Sequence, residues 1–223
     1  MARAVILDVD GTLVDSNDAH AHAWVAAFAE AGVTVDYEHV RRSIGMGGDR
    51  LMPATSGIEE DTPLGQQISK RRGEIFRDTY LPALRAFPSA RLLLQQFQTD
   101  GYTLSVASSA AEEELQPLLE RAGVADLIPH RTSSDDADSS KPAPDIVEAA
   151  LREAGCDPSD AIMLGHTPYD VKAATRAGVT IVALECGGWS REELAGAAAV
   201  YQDPTELLAN YDASPFARTP RHG

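Results

Sequence analysis

The chain has 223 residues, of which 43% are hydrophobic and 24% are charged, enough for one core domain with a smaller insertion. Its formal net charge of -15 at pH 7 would repel both nucleic acid and an anionic membrane surface. The composition therefore excludes nucleic-acid binding and membrane binding as the main task, and we expect a small molecule as the partner.

The two cysteines bear on the cellular compartment. Cys156 and Cys186 lie far apart in sequence and belong to no Cys-x-x-Cys or cysteine and histidine pattern, so we expect reduced thiols. The N-terminus enters a short strand without the apolar stretch of a signal peptide, and no apolar run is as long as a membrane span. These features predict a cytoplasmic protein and leave open whether it is a monomer or a homodimer.

The first predicted element is a buried strand that ends in two acids. Residues 4–7 are a run of four apolar residues, and Asp8, Val9, Asp10 and Gly11 follow them. Such a run is typical of a parallel strand covered on both faces, and the glycine turns the chain away. Ligands bind at the carboxyl ends of strands in open α/β sheets, so Asp8 and Asp10 are candidate catalytic acids. Two acids in a solvated surface turn are the alternative when this stretch is taken alone.

The segment after this strand predicts helices only. Apolar residues at helical spacing indicate a helix that starts at Ser16 or Asn17 and stops at Gly32. Three further helical patterns follow, over residues 37–44, 48–55 and 64–81. Since no strand pattern precedes Pro88, we assign residues 16–87 to an all-helical cap inserted after the first strand.

From residue 88 onwards, helices and strands alternate. Strands are predicted over residues 102–107, 130–132, 161–164 and 179–184, with helices over 89–99, 111–122, 144–154 and 169–177. This alternation predicts an α/β fold with a Rossmann-like, doubly wound parallel sheet. The core would comprise residues 1–15 and 88–223. Residues 213–223 contain two prolines and few apolar residues, so we expect a flexible tail there.

Polar residues follow the predicted strands where each strand ends. They are Asp8 and Asp10, Ser108 and Ser109, Lys141 in the next connection, and His166 with Asp170 after the fourth strand. Two acids, a hydroxyl group, a cation and a further acid suit phosphoryl transfer. Taken singly, Ser108 could cap a helix and Lys141 could be a solvated loop residue. Asp170 could be an acid in the first turn of a helix, where the helix dipole stabilises it. Their joint arrangement favours an active site.

The same residues resemble the motifs of a known family. In order along the chain, Asp8-Val9-Asp10-Gly11-Thr12-Leu13, Ser108, Lys141-Pro142 and Gly165-x-Thr167-x-x-Asp170 are similar to the four motifs of the haloacid dehalogenase superfamily. The helical insertion resembles that of the branch with phosphoglycolate phosphatases and β-phosphoglucomutases. The resemblance spans nearly the whole chain. It implies a metal-dependent phosphatase that hydrolyses small phosphorylated metabolites through an aspartyl-phosphate intermediate.

The resemblance also implies a role for each motif residue. Asp8 would attack phosphorus, while Asp10 would protonate the leaving oxygen and then deprotonate the hydrolytic water. The phosphoryl oxygens would be held by Ser108, Lys141 and the backbone amides of Val9, Asp10 and Ser109. Mg²⁺ would be held at the positions of Asp8, Asp10, His166 and Asp170.

Position 166 departs from the family pattern, which has an acid there as a direct magnesium ligand. Mg²⁺ prefers oxygen ligands, whereas imidazole suits Zn²⁺, Mn²⁺, Co²⁺ or Ni²⁺ better. Three outcomes are open at this stage: Asp170 takes over as the ligand, the site takes a softer metal such as Mn²⁺ or Co²⁺, or Mg²⁺ binding is impaired. Our hypothesis is impaired magnesium binding at an otherwise complete site.

Four residues of the cap are candidates for substrate contact: His20, Arg42, Gly47 and Gly48. Glycine lets a backbone approach a ligand closely, and an arginine could pair with a second anionic group. His20 could instead be packed at the hinge, and the glycine turn could be an ordinary connection. Phosphoglycolate-like and sugar-phosphate substrates are not distinguished. A sugar phosphomutase and a catalytically weakened binding relative remain alternatives to the phosphatase.

Overall fold

A parallel sheet forms the centre of the structure, a computed structural model that describes residues 3–217. Its strands are β1 (Arg3–Leu7), β2 (Tyr102–Ala107), β3 (His130–Thr132), β4 (Ala161–Gly165), β5 (Thr180–Leu184) and β6 (Ala199–Tyr201). They lie in the order β3-β2-β1-β4-β5-β6. The doubly wound fold class is confirmed, and five of these strands correspond to the predicted ones. The sequence analysis does not predict β6.

The helices are α1 (Asn17–Glu30), α2 (Tyr37–Ser43), α3 (Gly48–Ser56), α4 (Pro63–Ile75), α5 (Ala90–Thr99), α6 (Glu112–Arg121), α7 (Asp145–Ala154), α8 (Pro168–Arg176) and α9 (Pro204–Ala209). Among the described residues, no helix combines the length and the apolar character needed to cross a membrane. The helix α9 is not predicted by the sequence analysis either.

The sheet is covered on both faces because its central strands are apolar throughout. Val5 and Leu7 of β1 pack in one cluster with α5 and α6, while Ala4 and Ile6 pack in the opposite cluster with α7 and α8. The chain runs from β1 to β2 on one side of β1 and later crosses to β4 on its other side. A crevice therefore opens at the carboxyl end of β1, where ligands bind in sheets of this kind.

Helices α1 to α4 form a separate apolar cluster above this crevice, which includes Trp24, Phe28 and Met52. The two chain passages that join the helices to the sheet run antiparallel beside each other. The Asp15 amide donates to the Arg85 carbonyl at 3.0 Å, and the Phe87 amide donates to the Leu13 carbonyl at 3.0 Å. The helical block is thus attached next to the end of β1.

The predicted helix over residues 64–81 is interrupted. Helix α4 ends at Ile75, and a π-helical turn (Phe76–Tyr80) and a short 3-10 turn (Leu81–Ala83) follow it. Phe76 is fully buried in the π turn, and its ring stacks on His20 with the centroids 3.9 Å apart. Sequence periodicity does not distinguish a π turn from an α-helix, and such turns are frequent at functional sites.

The expectation of a flexible tail from residue 213 is wrong for residues 213–217. Phe216 is fully buried and packs on Phe97 with ring centroids 4.6 Å apart, and its carbonyl accepts a hydrogen bond of 2.9 Å from the Tyr102 hydroxyl. One aromatic residue therefore anchors a segment whose composition is otherwise that of a tail. Residues 218–223 of the predicted tail lie outside the described residues.

Removing this anchor should destabilise the core. We expect Phe216→Ala to lower the free energy of unfolding by about 3–5 kcal/mol, because it deletes a buried ring that its neighbours cannot replace. The matched control is Leu92→Ala, since Leu92 on α5 is 57% exposed and should cost less than about 1 kcal/mol. Urea denaturation followed by circular dichroism measures both, and equal values for the two variants would contradict the packing role of Phe216.

Candidate active site

The ends of β1 and β4 bring the central acid of the site into a buried position. The Asp8 amide donates to the Leu164 carbonyl at 2.9 Å, so the first residue after β1 stays aligned with β4. Lys141 Nζ lies 2.7 Å from Asp8 Oδ1 and 2.8 Å from Asp170 Oδ1. The Lys141 side chain is fully buried, and this ammonium group therefore joins the acid after β1 to an acid of α8.

The second oxygen of Asp8 is held by two other groups. Thr12 Oγ1 donates to Asp8 Oδ2 at 2.7 Å, and His166 Nδ1 lies 3.0 Å from the same oxygen. Burial raises the pKa of Asp8, but the charge of Lys141 and the hydrogen bond from His166 outweigh it and bring the pKa below its ordinary value. An ionised Asp8 is the form that a nucleophile requires.

The Asp170 side chain caps the N-terminus of α8. Its Oδ2 accepts hydrogen bonds from the backbone amides of His166 and Thr167, at 3.0 and 2.9 Å, and from Thr167 Oγ1 at 2.8 Å. Thr167 Oγ1 in turn accepts from the Asp170 amide at 3.0 Å, which completes a capping box. A Cβ atom at Gly165 would lie 2.8 Å from Asp170 Cβ, so only glycine fits at the end of β4.

Asp10 forms a second polar group beside the first. His20 Nε2 lies 2.8 Å from Asp10 Oδ1, and Ser16 Oγ donates to the same oxygen at 2.5 Å. Burial raises the pKa of Asp10, yet the charge and hydrogen bond of His20, together with the Ser16 hydroxyl, lower it overall. His20 therefore contacts both the acid and the hinge residue Phe76, and Ser16 serves Asp10 rather than capping α1 with its side chain.

The predicted phosphate-binding hydroxyls have local partners. Ser108 Oγ accepts from the Ala110 amide at 3.0 Å, and Ser109 Oγ donates to the Gly45 carbonyl of the cap at 3.3 Å. Ser109 lines the cleft together with Asp8 and Asp10. The phosphate-binding roles of Val9, Ser108, Ser109 and Lys141 stay predictions.

His166 is enclosed on all sides. Its Nε2 lies 3.0 Å from Asn17 Nδ2, and Asn17 Nδ2 donates to the Gly187 carbonyl at 2.9 Å. A Cβ atom at Gly11 or Gly187 would collide with the imidazole ring. The ring thus fills the space between Asp8 and two glycines, and the side chain is about 1% exposed.

This donor set does not fit Mg²⁺. Asp8, His166 and Asp170 offer ligand atoms within 4.8 Å of one another, but both oxygens of each acid are already used by Lys141 and hydrogen-bond donors. The third group is a nitrogen, whereas Mg²⁺ requires oxygen ligands in near-octahedral geometry. The carboxylate of Asp10 points to Ser16 and His20 instead of joining the three. The predicted metal contact of Asp10, which the family resemblance implies for its backbone carbonyl, stays a prediction.

A small cleft, open to solvent, lies between the cap and the sheet. Asp8, Asp10, His20 and Gly48 line it, as expected for site residues. Gly47 is packed against the Ser140 side chain beside the cleft.

Arg42, the cap arginine that the sequence analysis proposes for substrate contact, lies outside the cleft. Arg42 pairs with Glu193 at 3.1 Å and stacks on the Trp189 ring at 4.5 Å, and it does not line the cleft.

The arginine that does line the cleft is Arg72. Its Nη1 donates to both carboxylate oxygens of Glu114, at 2.9 and 2.8 Å, and its guanidinium lies 5.1 Å from the Trp24 ring centroid. Glu114, on α6, is about 1% exposed. This pair links the cap to the sheet domain, and the sequence analysis missed it because Arg72 was one of seven basic residues between positions 41 and 77.

Comparison with known proteins agrees with this geometry. Residues 5–184 match the family model described as haloacid dehalogenase-like hydrolase. The chain is 32% identical over 217 residues to a phosphoglycolate phosphatase of Rhodospirillum rubrum, covering 93% of this chain and 90% of that protein. Among solved structures, a hydrolase from Pseudomonas syringae superposes with a TM-score of 0.87 at 27% identity, covering 95% of this chain and 98% of that one. The protein CbbY from Rhodobacter sphaeroides, in complex with phosphate, superposes with a TM-score of 0.76 at 25% identity over 95% of this chain and all of that chain.

Removing one partner of the buried ion pair between Arg72 and Glu114 should destabilise the protein. We expect Arg72→Met to lower the free energy of unfolding by up to about 3–5 kcal/mol, because the buried Glu114 carboxylate then keeps only the more distant Arg77, 3.8 Å away, as its partner. The matched control is Arg71→Met, since Arg71 pairs with Glu30 and Glu74 at the surface and should lose at most about 1 kcal/mol.

The double variant Arg72→Met/Glu114→Leu separates lost pairing from lost packing. It should recover most of the stability, since no charge remains buried alone. Guanidinium denaturation of the four proteins measures this, and a double variant as unstable as Arg72→Met would show that packing, rather than the unpaired acid, sets the loss.

Proposed function

Because the chain belongs to the haloacid dehalogenase-like hydrolase family, we propose that it hydrolyses its substrates through a phosphorylated Asp8, with Asp10 as the proton carrier. The family membership and the phosphatase relatives identify the chain as a phosphoric monoester hydrolase of small phosphate esters. The observation that carries the proposal is the buried Asp8 carboxylate, ionised beside Lys141 and lining the cleft.

Asp8 and Lys141 would carry the first half-reaction. An oxygen of Asp8 attacks phosphorus, the bond from phosphorus to the leaving oxygen breaks, and that oxygen takes a proton from Asp10. Lys141 offsets the negative charge that Asp8 and the phosphoryl oxygens bring together. Thr12 restrains the carboxylate through its hydrogen bond of 2.7 Å, so the attacking group is oriented before the substrate binds.

Asp10 would carry the second half-reaction. It accepts a proton from water, the water oxygen bonds to phosphorus, and the bond to Asp8 breaks to release inorganic phosphate. The lowered pKa leaves Asp10 ionised, which is the form that accepts a proton from the attacking water. For the first half-reaction, Asp10 therefore has to receive its proton from the incoming phosphate monoester. Ser16 and His20 fix its orientation through Oδ1.

Phosphatases of this family generally use Mg²⁺, which supplies positive charge at the phosphoryl group. No step above is assigned to that ion, since the donor set around His166 does not fit it. This departure also supports the alternative of a catalytically weakened relative, in which Asp8 turns over slowly for lack of that charge.

For the substrate we propose small phosphate monoesters of the phosphoglycolate or sugar-phosphate kind. The phosphoglycolate phosphatase relative supports this choice, as does a cleft whose walls include the Trp24 ring and the Arg72 guanidinium. An aromatic face and a planar cation suit a short polar leaving group. We also propose a cytoplasmic location, because the sequence has two cysteines that belong to no Cys-x-x-Cys pattern.

Loss of the nucleophile should abolish turnover. We expect Asp8→Asn to reduce phosphate release by three orders of magnitude or more, on the order of other nucleophile deletions, because the amide cannot form the adduct. Phosphate release from a panel of esters, including phosphoglycolate and sugar phosphates, measures the rate, and intact mass after acid quenching detects the adduct in the parent.

Asp18→Asn is the matched control, since Asp18 is an exposed acid of α1 outside the site. It should leave the rate within about twofold of the parent. An Asp8→Asn variant as active as the parent would refute the proposal, while an isomeric sugar phosphate without inorganic phosphate would support the phosphomutase instead.

A further inference from the structure

The surroundings of Asn17 determine where the hydrogen of the His166 ring lies. A backbone carbonyl can only accept, so the Asn17 atom 2.9 Å from the Gly187 oxygen has to be the amide nitrogen. Arg41 Nη2 also donates to this carbonyl at 3.0 Å and helps to keep it in place. The orientation of the Asn17 amide therefore follows from the Gly187 carbonyl oxygen, which can only accept hydrogen bonds.

The same amide nitrogen is 3.0 Å from His166 Nε2. Since Asn17 Nδ2 is a donor, Nε2 has to accept, and the ring hydrogen is then on Nδ1. On its other side, Nδ1 faces the Asp8 carboxylate oxygen at 3.0 Å, which accepts it. Two independent neighbours thus require the same tautomer.

A metal ligand needs the opposite arrangement. A coordinating imidazole offers the lone pair of one nitrogen and donates the hydrogen of the other to a carbonyl or carboxylate oxygen. Here the nitrogen that faces Asp8 and Asp170 carries the hydrogen, and the lone pair faces an amide donor. The two polar neighbours also fix which way round the ring lies, because a ring turned over would place carbon atoms against the Asp8 oxygen and the Asn17 amide.

We propose that Asn17 is a positioning residue that keeps His166 as a hydrogen-bond donor to Asp8, so that the imidazole takes the place of a cation and closes the site to divalent metals. Neither Mg²⁺ nor the softer Mn²⁺ and Co²⁺ binds there. The inference rests on the proposed function only for the identity of the site, because its tests measure metal binding and the ring tautomer and not turnover.

Metal titration of the parent and two variants tests the closure. By isothermal titration calorimetry the parent should bind none of Mg²⁺, Mn²⁺ and Co²⁺. His166→Asp should bind Mg²⁺, and Mg²⁺ should raise its thermal midpoint, because the substitution supplies an oxygen ligand. His166→Asn removes the ring without adding a carboxylate and should not bind Mg²⁺. Mg²⁺ binding to the parent that His166→Asp does not strengthen would overturn the proposal.

Asn17→Asp tests the positioning role itself. The introduced carboxylate accepts a hydrogen on Nε2, so the ring no longer needs its Nδ1 hydrogen, and a metal ion can displace that hydrogen and take the Nδ1 lone pair. Affinity for Mn²⁺ or Co²⁺ should therefore rise by about 10–100-fold, the range of other outer-shell changes. The control is Asn210→Asp, the same substitution at an exposed asparagine after α9, which should behave as the parent. Equal affinities in Asn17→Asp and Asn210→Asp, with the Asn17→Asp protein folded by circular dichroism, would contradict the role of Asn17.

The tautomer can be observed directly. Long-range ¹H–¹⁵N spectra of the parent should show one ring with hydrogen on Nδ1 that disappears in His166→Asn and gains a hydrogen on Nε2 in Asn17→Asp. A parent ring in the Nε2 form would overturn the proposal. A parent without phosphatase turnover that still shows the Nδ1 form and binds no metal would refute the proposed function alone.

Discussion

The ammonium group of Lys141 is the interaction on which the site depends. It is fully buried with a carboxylate on each side, at 2.7 and 2.8 Å. Burial lowers the pKa of Lys141, but the charges of Asp170 and Asp8 outweigh it and raise the pKa above its ordinary value. A cation without such partners would be too costly to bury, and two acids this close would repel each other without it. Asp8, Lys141 and the cap of α8 are therefore coupled.

The coupling explains why three separate stretches of chain converge at one point. Asp8 follows β1, Lys141 lies in the connection before α7, and Asp170 belongs to α8. Asp170 contributes one oxygen to Lys141 and the other to the first amides of α8, so helix capping and charge pairing use the same side chain. The close approach of Gly165 to this side chain ties the arrangement to the end of β4. Any shift of α8 would thus be transmitted to the nucleophile.

The sequence predicts most of the fold because the central strands are apolar on both faces. They appear as continuous apolar runs, which differ clearly from the polar segments that connect them. It fails where burial is partial. The three residues of β6 are all half-buried, although Asp203 and Pro204 are a usable start signal for α9. Phe216 is an isolated aromatic residue in a polar segment, and only its contacts with the core show that the segment is packed.

At the site, motif order predicts which residues meet but not how their hydrogen bonds are shared. The basic residues of the cap are visible in the sequence, yet the orientation of α4 above the sheet decides that Arg72 reaches the cleft and Arg42 does not. From the sequence, Asn17 is a candidate helix cap. Nothing in the local pattern indicates its contact with His166, which is 149 positions away. Pairings of this kind exist only once the cap is placed on the sheet.

The substitution at position 166 also changes the charge that a phosphoryl group meets. An acid and its divalent cation together bring one positive charge, whereas the imidazole with its hydrogen on Nδ1 alone, as we propose for His166, brings none. Lys141 then has to offset the charge of Asp8, Asp170 and the entering phosphoryl oxygens together, at distances where each charge counts strongly in a buried site. Backbone amides around Val9 and Ser109 can share that task, since they are fixed dipoles that cost no reorganisation. In such a site, a phosphoryl group would be held by Lys141 and by fixed backbone dipoles.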